Sequence, residues 1–260
     1  MRPLSGTLLL RFWTWMRGMR TVAPRRGQAG QDGCGCRLGT APDAMVTANL
    51  RRRQVLSWMV APALLAALPW QAADAAESPV LMVLGDSLSA EHGLSRGEGW
   101  VALLEKRLAD DAALSRWKVV NASISGETTA GGLARLPQLQ QQHRPALVVI
   151  ELGGNDALRG LPLKASTNNL RQMVDAVQKA GARAVLVGMQ VPPNYGPAYA
   201  RQFERMFRKV ADETRSPLVP FLLEGFGDDP AWFQPDGIHP QARAHPRMLE
   251  TVWTVLKDAM

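Results

Sequence analysis

Cysteine is almost absent from this 260-residue chain: there are two, Cys34 and Cys36, and both lie close to the N-terminus. Two thiols are too few for a closed zinc site, and no cysteine follows residue 36. The remainder of the chain therefore needs no disulfide for stability and offers no thiol nucleophile. No cysteine follows the apolar run at residues 55–70 either, so a lipoprotein anchor is unsupported.

Lysine is absent from residues 1–76, yet this segment accounts for the whole net positive charge of the chain. It holds 10 Arg and 3 Asp, a net charge of +7, whereas residues 77–260 hold 20 basic and 20 acidic side chains. Because the C-terminal part is neutral, the high overall charge gives no support for a nucleic-acid surface on it. We expect no nucleic-acid partner.

Residues 51–76 have the layout of an export signal. Three arginines precede an apolar stretch, Val55–Trp70, and small residues follow, with Ala75 as the expected cleavage position. The pair Arg52-Arg53 also fits a twin-arginine signal. The apolar stretch contains two prolines and is shorter than the roughly 20 residues that a membrane span needs. We therefore predict a cleaved signal and a periplasmic or secreted protein.

The signal divides the chain into three parts. A signal usually begins near the true N-terminus, and Met45 lies just before the arginines. We expect translation to begin at Met45, so that residues 1–44 are a non-native or disordered extension, residues 45–76 the signal peptide and residues 77–260 the mature domain. Peptides from residues 26–44 in the unprocessed precursor, found by mass spectrometry, would contradict this.

Apolar, strand-like runs alternate with helical patterns after residue 77. Such runs, apolar along nearly their whole length, favour an α/β fold with a parallel sheet covered by helices on both faces. The predicted strands are Val80–Leu84, Trp117–Asn121, Ala146–Leu152, Ala184–Met189 and Leu218–Phe221. The predicted helices are Trp100–Leu108, Leu170–Ala180, Tyr199–Asp212 and Ala242–Lys257.

Four polar clusters are expected at one rim of this sheet, because active sites of such folds lie at the carboxyl ends of the strands. Three clusters directly follow predicted strands, and the fourth stands near the C-terminus. They are Gly85–Ser89, Ser123–Thr128, Gly153–Asp156 and Asp236–Pro240.

These clusters contain the groups that nucleophilic catalysis by serine requires. Ser87 needs a base to become nucleophilic, and His239 is the candidate. Asp236, three residues earlier, can orient the imidazole across a tight turn that Gly237 permits. Three donors could form an oxyanion hole: the backbone N–H groups of Ser87 and Gly126 and the side-chain amide of Asn155.

The four motifs resemble those of the SGNH, or GDSL, hydrolase family, whose marker residues match Ser87, Gly126, Asn155 and His239. The strings GDSLSAEHG, GGNDALRG and VPPNYG are similar to those of its bacterial thioesterase I, arylesterase and lysophospholipase L1 group. The resemblance implies a three-layer α/β/α, flavodoxin-like domain with a mostly parallel five-stranded sheet. It also implies ester hydrolysis through an acyl-enzyme, with no metal and no cofactor.

The same resemblance implies that residues 190–196 are a mobile loop along the acyl-chain groove. Pro193, Asn194 and Tyr195 in this loop are the candidate substrate contacts. The expected substrates are aryl, acyl or lysophospholipid esters and acyl thioesters. Transient contact with a membrane surface is compatible with such substrates, and the oligomeric state stays open.

Two other functions remain open at this point. One is a carbohydrate O-deacetylase of the same superfamily, and the other is a non-catalytic binding domain that keeps the fold. Asp156 is interpreted as a helix cap rather than a catalytic group. The other three histidines have no motif around them and are interpreted as surface or packing residues: His92, His143 and His245.

Overall fold

The computed structural model describes residues 78–260, so the predictions for residues 1–77 lie outside the described residues. Five strands form one parallel sheet in the order β2-β1-β3-β4-β5. This is the strand order of flavodoxin-like folds, and the predicted fold class is confirmed. The strands are β1 Val80–Gly85, β2 Lys118–Asn121, β3 Leu147–Glu151, β4 Arg183–Val187 and β5 Leu218–Val219.

Helices cover both faces of the sheet. They are α1 Trp100–Asp110, α2 Thr129–His143, α3 Gly154–Leu158, α4 Leu163–Lys179, α5 Pro197–Thr214 and α6 His245–Ala259. Side chains alternate along each strand, so Leu81 and Val83 pack with α1 and α6 while Met82 and Leu84 pack with α2, α4 and α5. Within the described residues no helix is long and apolar enough to cross a membrane.

The structure extends the predicted helices and adds two. The helix predicted from Leu170 begins at Leu163, and the helix predicted from Ala242 begins as a short 3₁₀ turn, Ala242–Ala244, before α6. Helices α2 and α3 were not predicted.

Candidate active site

The turn after β1 carries Ser87 at the rim of the sheet. Asp86 is buried, and its Oδ1 accepts the backbone N–H of Leu88 at 3.0 Å, which fixes the turn. Ser87, which follows, is only partly buried and therefore accessible. Gly85 is required beneath it, since a Cβ there would lie 2.8 Å from both Ser89 and Glu151.

Asn155 reaches the same turn from the end of β3. Its Nδ2 donates to Asp86 Oδ2 at 3.0 Å, so a buried carboxylate orients the amide. Burial raises the pKa of Asp86 to about 6, although hydrogen bonds from Leu88 and Asn155 oppose the shift. Burial and the nearby charge of Asp86 also raise the pKa of Glu151, which is fully buried below the turn.

Gly126 lies on the loop that follows β2. This loop runs along the end of β1, where Ile124 N donates to Gly85 O at 3.1 Å. Gly126 has a φ of +80°, a left-handed conformation that favours glycine. Arg159, one residue beyond α3, donates from Nη2 to the Gly126 carbonyl at 2.8 Å. The arginine thus holds the loop on which Gly126 lies, a contact that sequence analysis did not predict.

Asp236 and His239 form the pair that their spacing predicted. Asp236 Oδ2 lies 2.7 Å from His239 Nδ1, and Oδ1 accepts the backbone N–H groups of Ile238 at 2.9 Å and His239 at 3.0 Å. Gly237, at φ +70°, allows the turn. Partial burial would raise the pKa of Asp236, but these hydrogen bonds outweigh it, and the pKa lies below its usual value. The group is therefore a carboxylate at neutral pH.

Gln234 fastens this turn to the turn that follows Ser87. Its Nε2 donates to Pro240 O at 3.0 Å and to His92 O at 2.9 Å. Its backbone N–H donates to His239 O at 2.7 Å. One side chain therefore connects the two turns that carry Ser87 and His239. No motif marked Gln234 in the sequence.

His92 lies directly against His239. The two ring centroids are 4.1 Å apart, with the planes tilted by 35°. His92 is exposed, in agreement with its interpretation as a surface residue, but its position beside His239 was not predicted. The turn brings it there, because His92 N donates to Ser87 O at 3.4 Å.

The other interpreted residues have structural contacts. Asp156 is buried within α3 and is not the N-cap residue that the sequence suggested. Its carboxylate accepts the backbone N–H of Thr129 at 2.8 Å, at the start of α2, whose N-cap residue is Thr128. His245 is buried, and its Nδ1 accepts the backbone N–H of Trp100 at 3.0 Å. Burial lowers the pKa of His245, which is therefore a neutral packing residue at pH 7.

Pro193, Asn194 and Tyr195 form a 3₁₀ turn between β4 and α5. Asn194 is exposed, and the Tyr195 ring stacks near Tyr199 with centroids 6.0 Å apart. Contact of this turn with substrate stays a prediction.

The rim thus holds five candidate residues that lie on contacting loops and on the first turn of α3: Ser87, Gly126, Asn155, Asp236 and His239. Among the hydrogen bonds of residues 78–260, none joins the Ser87 hydroxyl to His239. Catalytic hydrogen bonds are often long or poorly aligned without substrate, so the absence of this bond does not argue against a Ser87–His239 pair.

A family model of GDSL-like lipases and acylhydrolases matches residues 83–247, which include every one of these side chains. The chain belongs to this family. Esterase TesA of Pseudomonas aeruginosa is 53% identical over 71% of this chain and 91% of the relative. Thioesterase 1/protease 1/lysophospholipase L1 of Escherichia coli is 45% identical over 66% of this chain and 80% of the relative.

A crystal structure of TesA superimposes with a TM-score of 0.66 at 52% identity, covering 70% of this chain and 99% of that one. The predicted membership of the GDSL family and the predicted ester hydrolase activity are confirmed.

Proposed function

We propose that this GDSL-family hydrolase works through a Ser87–His239–Asp236 triad and an acyl-enzyme. Ser87 Oγ attacks the ester carbonyl carbon while His239 Nε2 takes the hydroxyl proton. The tetrahedral intermediate collapses as His239 returns that proton to the leaving alcohol. Water, deprotonated by the same imidazole, then attacks the acyl-enzyme and releases the acid and Ser87.

The contact of 2.7 Å between Asp236 Oδ2 and His239 Nδ1 carries this proposal. A carboxylate at Nδ1 fixes the tautomer in which Nε2 is the free base, and it stabilises the imidazolium formed during turnover. The lowered pKa of Asp236 keeps that carboxylate ionised.

The oxyanion hole is assigned to the N–H groups of Ser87 and Gly126 and to Asn155 Nδ2. Two contacts support preorganised donors here: Asp86 orients the Asn155 amide, and Arg159 holds the Gly126 carbonyl. Donors fixed before the reaction are the ones that stabilise developing charge most effectively.

Replacement of Ser87 by Ala tests the triad. We expect kcat for a p-nitrophenyl ester to fall by about 10⁵–10⁶-fold, because the nucleophile is lost, and the double variant with His239→Ala to lose little more. A fluorophosphonate probe should label the wild type and the control Ser95→Ala, an exposed serine, but not Ser87→Ala. Ester turnover or labelling retained by Ser87→Ala would refute the assignment.

We further propose acyl-chain or aryl esters, including lysophospholipids, as the preferred substrates, with thioesters accepted by the same site. Two large apolar side chains are exposed near the proposed oxyanion hole: Ile124 at 48% and Leu161 at 37%. Each lies two residues from a partner in the Arg159–Gly126 contact. An apolar surface at this position favours acyl or aryl groups over a sugar.

A series of p-nitrophenyl esters from acetate to long-chain acyl groups tests this preference. We expect kcat/KM to rise beyond acetate, since each buried methylene contributes about 0.8 kcal/mol. Activity that collapses beyond acetate would instead indicate the O-deacetylase. Absence of turnover on every ester, with no probe labelling, would indicate the binding domain.

The proposed location is the periplasm or the exterior, where lysophospholipids and aryl esters are encountered. Support comes from the signal pattern at residues 51–76, outside the described residues. N-terminal sequencing of the exported protein should begin at Ala76; an N-terminus within residues 1–44 would contradict the proposal.

A further inference from the structure

We propose that His92, Asp236 and His239 form an inhibitory site for a divalent transition-metal ion such as Zn²⁺. Each residue offers one ligand atom, and the three atoms lie within 4.8 Å of one another. His92 and Asp236 are exposed and His239 is partly buried, so an ion can reach all three from solvent. The inhibition rests on the proposed role of His239 as the base.

The three side chains are the ligand types that Zn²⁺ takes. Two imidazoles and one carboxylate leave a fourth tetrahedral position for water, as in zinc sites with three protein ligands. Ligand atoms of a tetrahedral zinc ion are about 3.3 Å apart, given Zn–N and Zn–O distances of about 2.0–2.1 Å. To reach this geometry, the exposed His92 ring must rotate out of its contact with His239, so that its nitrogen and those of its partners face one ion.

The backbone of His92 is fixed while its ring has little to hold it. Its carbonyl accepts from Gln234 at 2.9 Å, and its N–H donates to Ser87 O at 3.4 Å. The ring's one recorded hydrogen-bond partner in residues 78–260 is Ser125 Oγ, 3.5 Å from Nδ1, at the limit of a hydrogen bond. Turning the His92 nitrogens towards a metal ion therefore gives up one weak hydrogen bond and the ring contact with His239.

A metal ion bound here would stop the proposed reaction. Coordination by a nitrogen of His239 uses the lone pair that must accept the Ser87 proton or disturbs the contact with Asp236. Imidazole binds metal only when neutral, so protons compete with the ion.

Calorimetric titration of Zn²⁺ into the full-length protein, first stripped with a chelator, tests the site without any need for turnover. We expect one binding event. His92→Gln should lose at least the roughly 10–100-fold in affinity that removal of a mere hydrogen-bond partner of a ligand costs, because it removes a ligand itself. His143→Gln is the matched control, because it removes a histidine on the last turn of α2, outside the triangle. It should bind Zn²⁺ like the wild type.

Hydrolysis of a p-nitrophenyl ester under increasing Zn²⁺ is the second measurement. Inhibition is taken relative to the metal-free turnover of each protein, because the His92 ring lies against His239. The inhibition constant of His92→Gln should rise in parallel with the calorimetric loss. Equal Zn²⁺ affinity in the wild type and His92→Gln, or no binding at micromolar Zn²⁺, would overturn the site.

Zn²⁺ binding that requires His92 but leaves ester turnover unchanged would show that the bound ion does not inhibit the enzyme. The Ser87→Ala and His239→Ala assays would then decide separately whether His239 is the base, because they need no metal.

Discussion

At the scale of single residues, the roles divide between groups that react and groups that hold them. Asp236 belongs to the second kind, because its two oxygens accept three N–H groups of its own turn. Oδ1 shapes the turn and Oδ2 faces the imidazole, so one side chain builds the loop and orients the proposed base. This double role predicts that a change at Oδ2 alone leaves the loop folded.

Asp236→Asn makes that change. If the amide oxygen stays on the two backbone N–H groups, its NH₂ faces His239 Nδ1 and favours the wrong tautomer. We expect kcat to fall by about 10³–10⁴-fold, with a melting temperature close to that of the wild type. Steady-state assays with a p-nitrophenyl ester measure this.

The matched control is Asp228→Asn, an exposed aspartate on the preceding loop, which should keep full activity. A loss of less than tenfold in Asp236→Asn would remove Asp236 from the triad.

The sequence indicated these reacting residues because each stands in a local motif. The Asp236–His239 contact follows from a spacing of three residues, and Gly126 adopts the left-handed conformation at which glycine is favoured. His92 had no such signal. It meets His239 only because the turn after β1 and the turn before α6 come together, a juxtaposition of residues far apart in the sequence.

At the scale of elements, strands were predicted better than helices. The strands are continuous apolar runs, whereas α2 contains Gly131, Gly132 and Pro137, which argue against a helix in any local pattern. A tertiary contact favours one of these glycines, because a Cβ on Gly132 would lie 2.3 Å from the buried side chain of Leu152. Asp156 further stabilises this helix by accepting the backbone N–H of Thr129 in its first turn. That contact joins residues far apart in the sequence and exists only in the folded chain.

Gln234 links the turn after the proposed nucleophile to the turn that carries the proposed base, which predicts an effect of Gly93→Ala. Gly93 has a φ of +71°, and a Cβ there would lie 2.1 Å from Gln234 Oε1. The new methyl group must displace the glutamine side chain and weaken its bonds to both turns. We expect kcat to fall by about tenfold or more. Because alanine is strained in the left-handed conformation, the unfolding free energy should also fall by about 1–2 kcal/mol.

Gly97→Ala separates the two effects. Gly97 has a φ of +92° on the same loop, but nothing lies within 4 Å of its Cβ position. This variant should show a similar loss of stability in urea unfolding with nearly unchanged kcat. Equal kcat in both variants would show that the Gln234 contact does not position the site.

At the scale of the whole molecule, the domain places two carboxyl groups beneath its active site. Asp86 and Glu151 are both buried at the carboxyl ends of adjacent strands, joined by the contact of Asp86 N with Glu151 Oε2 at 3.3 Å. Ser89 donates to Glu151 at 2.7 Å and accepts from Trp100 at 3.1 Å, so the network extends to the core side chain of α1. Stability and site geometry therefore depend on the same two carboxyl groups, Asp86 and Glu151.

This burial predicts how stability changes with pH. The folded-state pKa of Asp86, about 6, lies above the ordinary value of 3.8, so folding favours its protonated form. The contribution of Asp86 to stability is therefore fully present below about pH 3.8 and is lost as pH rises through about 6. Asp86→Asn removes this titration.

The unfolding free energy of the wild type should consequently fall relative to Asp86→Asn between about pH 4 and 7, by a difference on the order of 2–3 kcal/mol. Urea unfolding of both proteins across this range measures it. Asp236 and His245 titrate in the opposite sense, since their lowered pKa values add stability as pH rises. Both are present in the two proteins, so their contributions cancel in the difference. Glu151, whose pKa the charge of Asp86 helps to raise, titrates together with Asp86 and remains part of the difference. The prediction fails if the difference in unfolding free energy stays constant from pH 4 to 7, or if the wild type becomes more stable relative to the variant. Asp86 would then ionise in the folded domain as readily as in water.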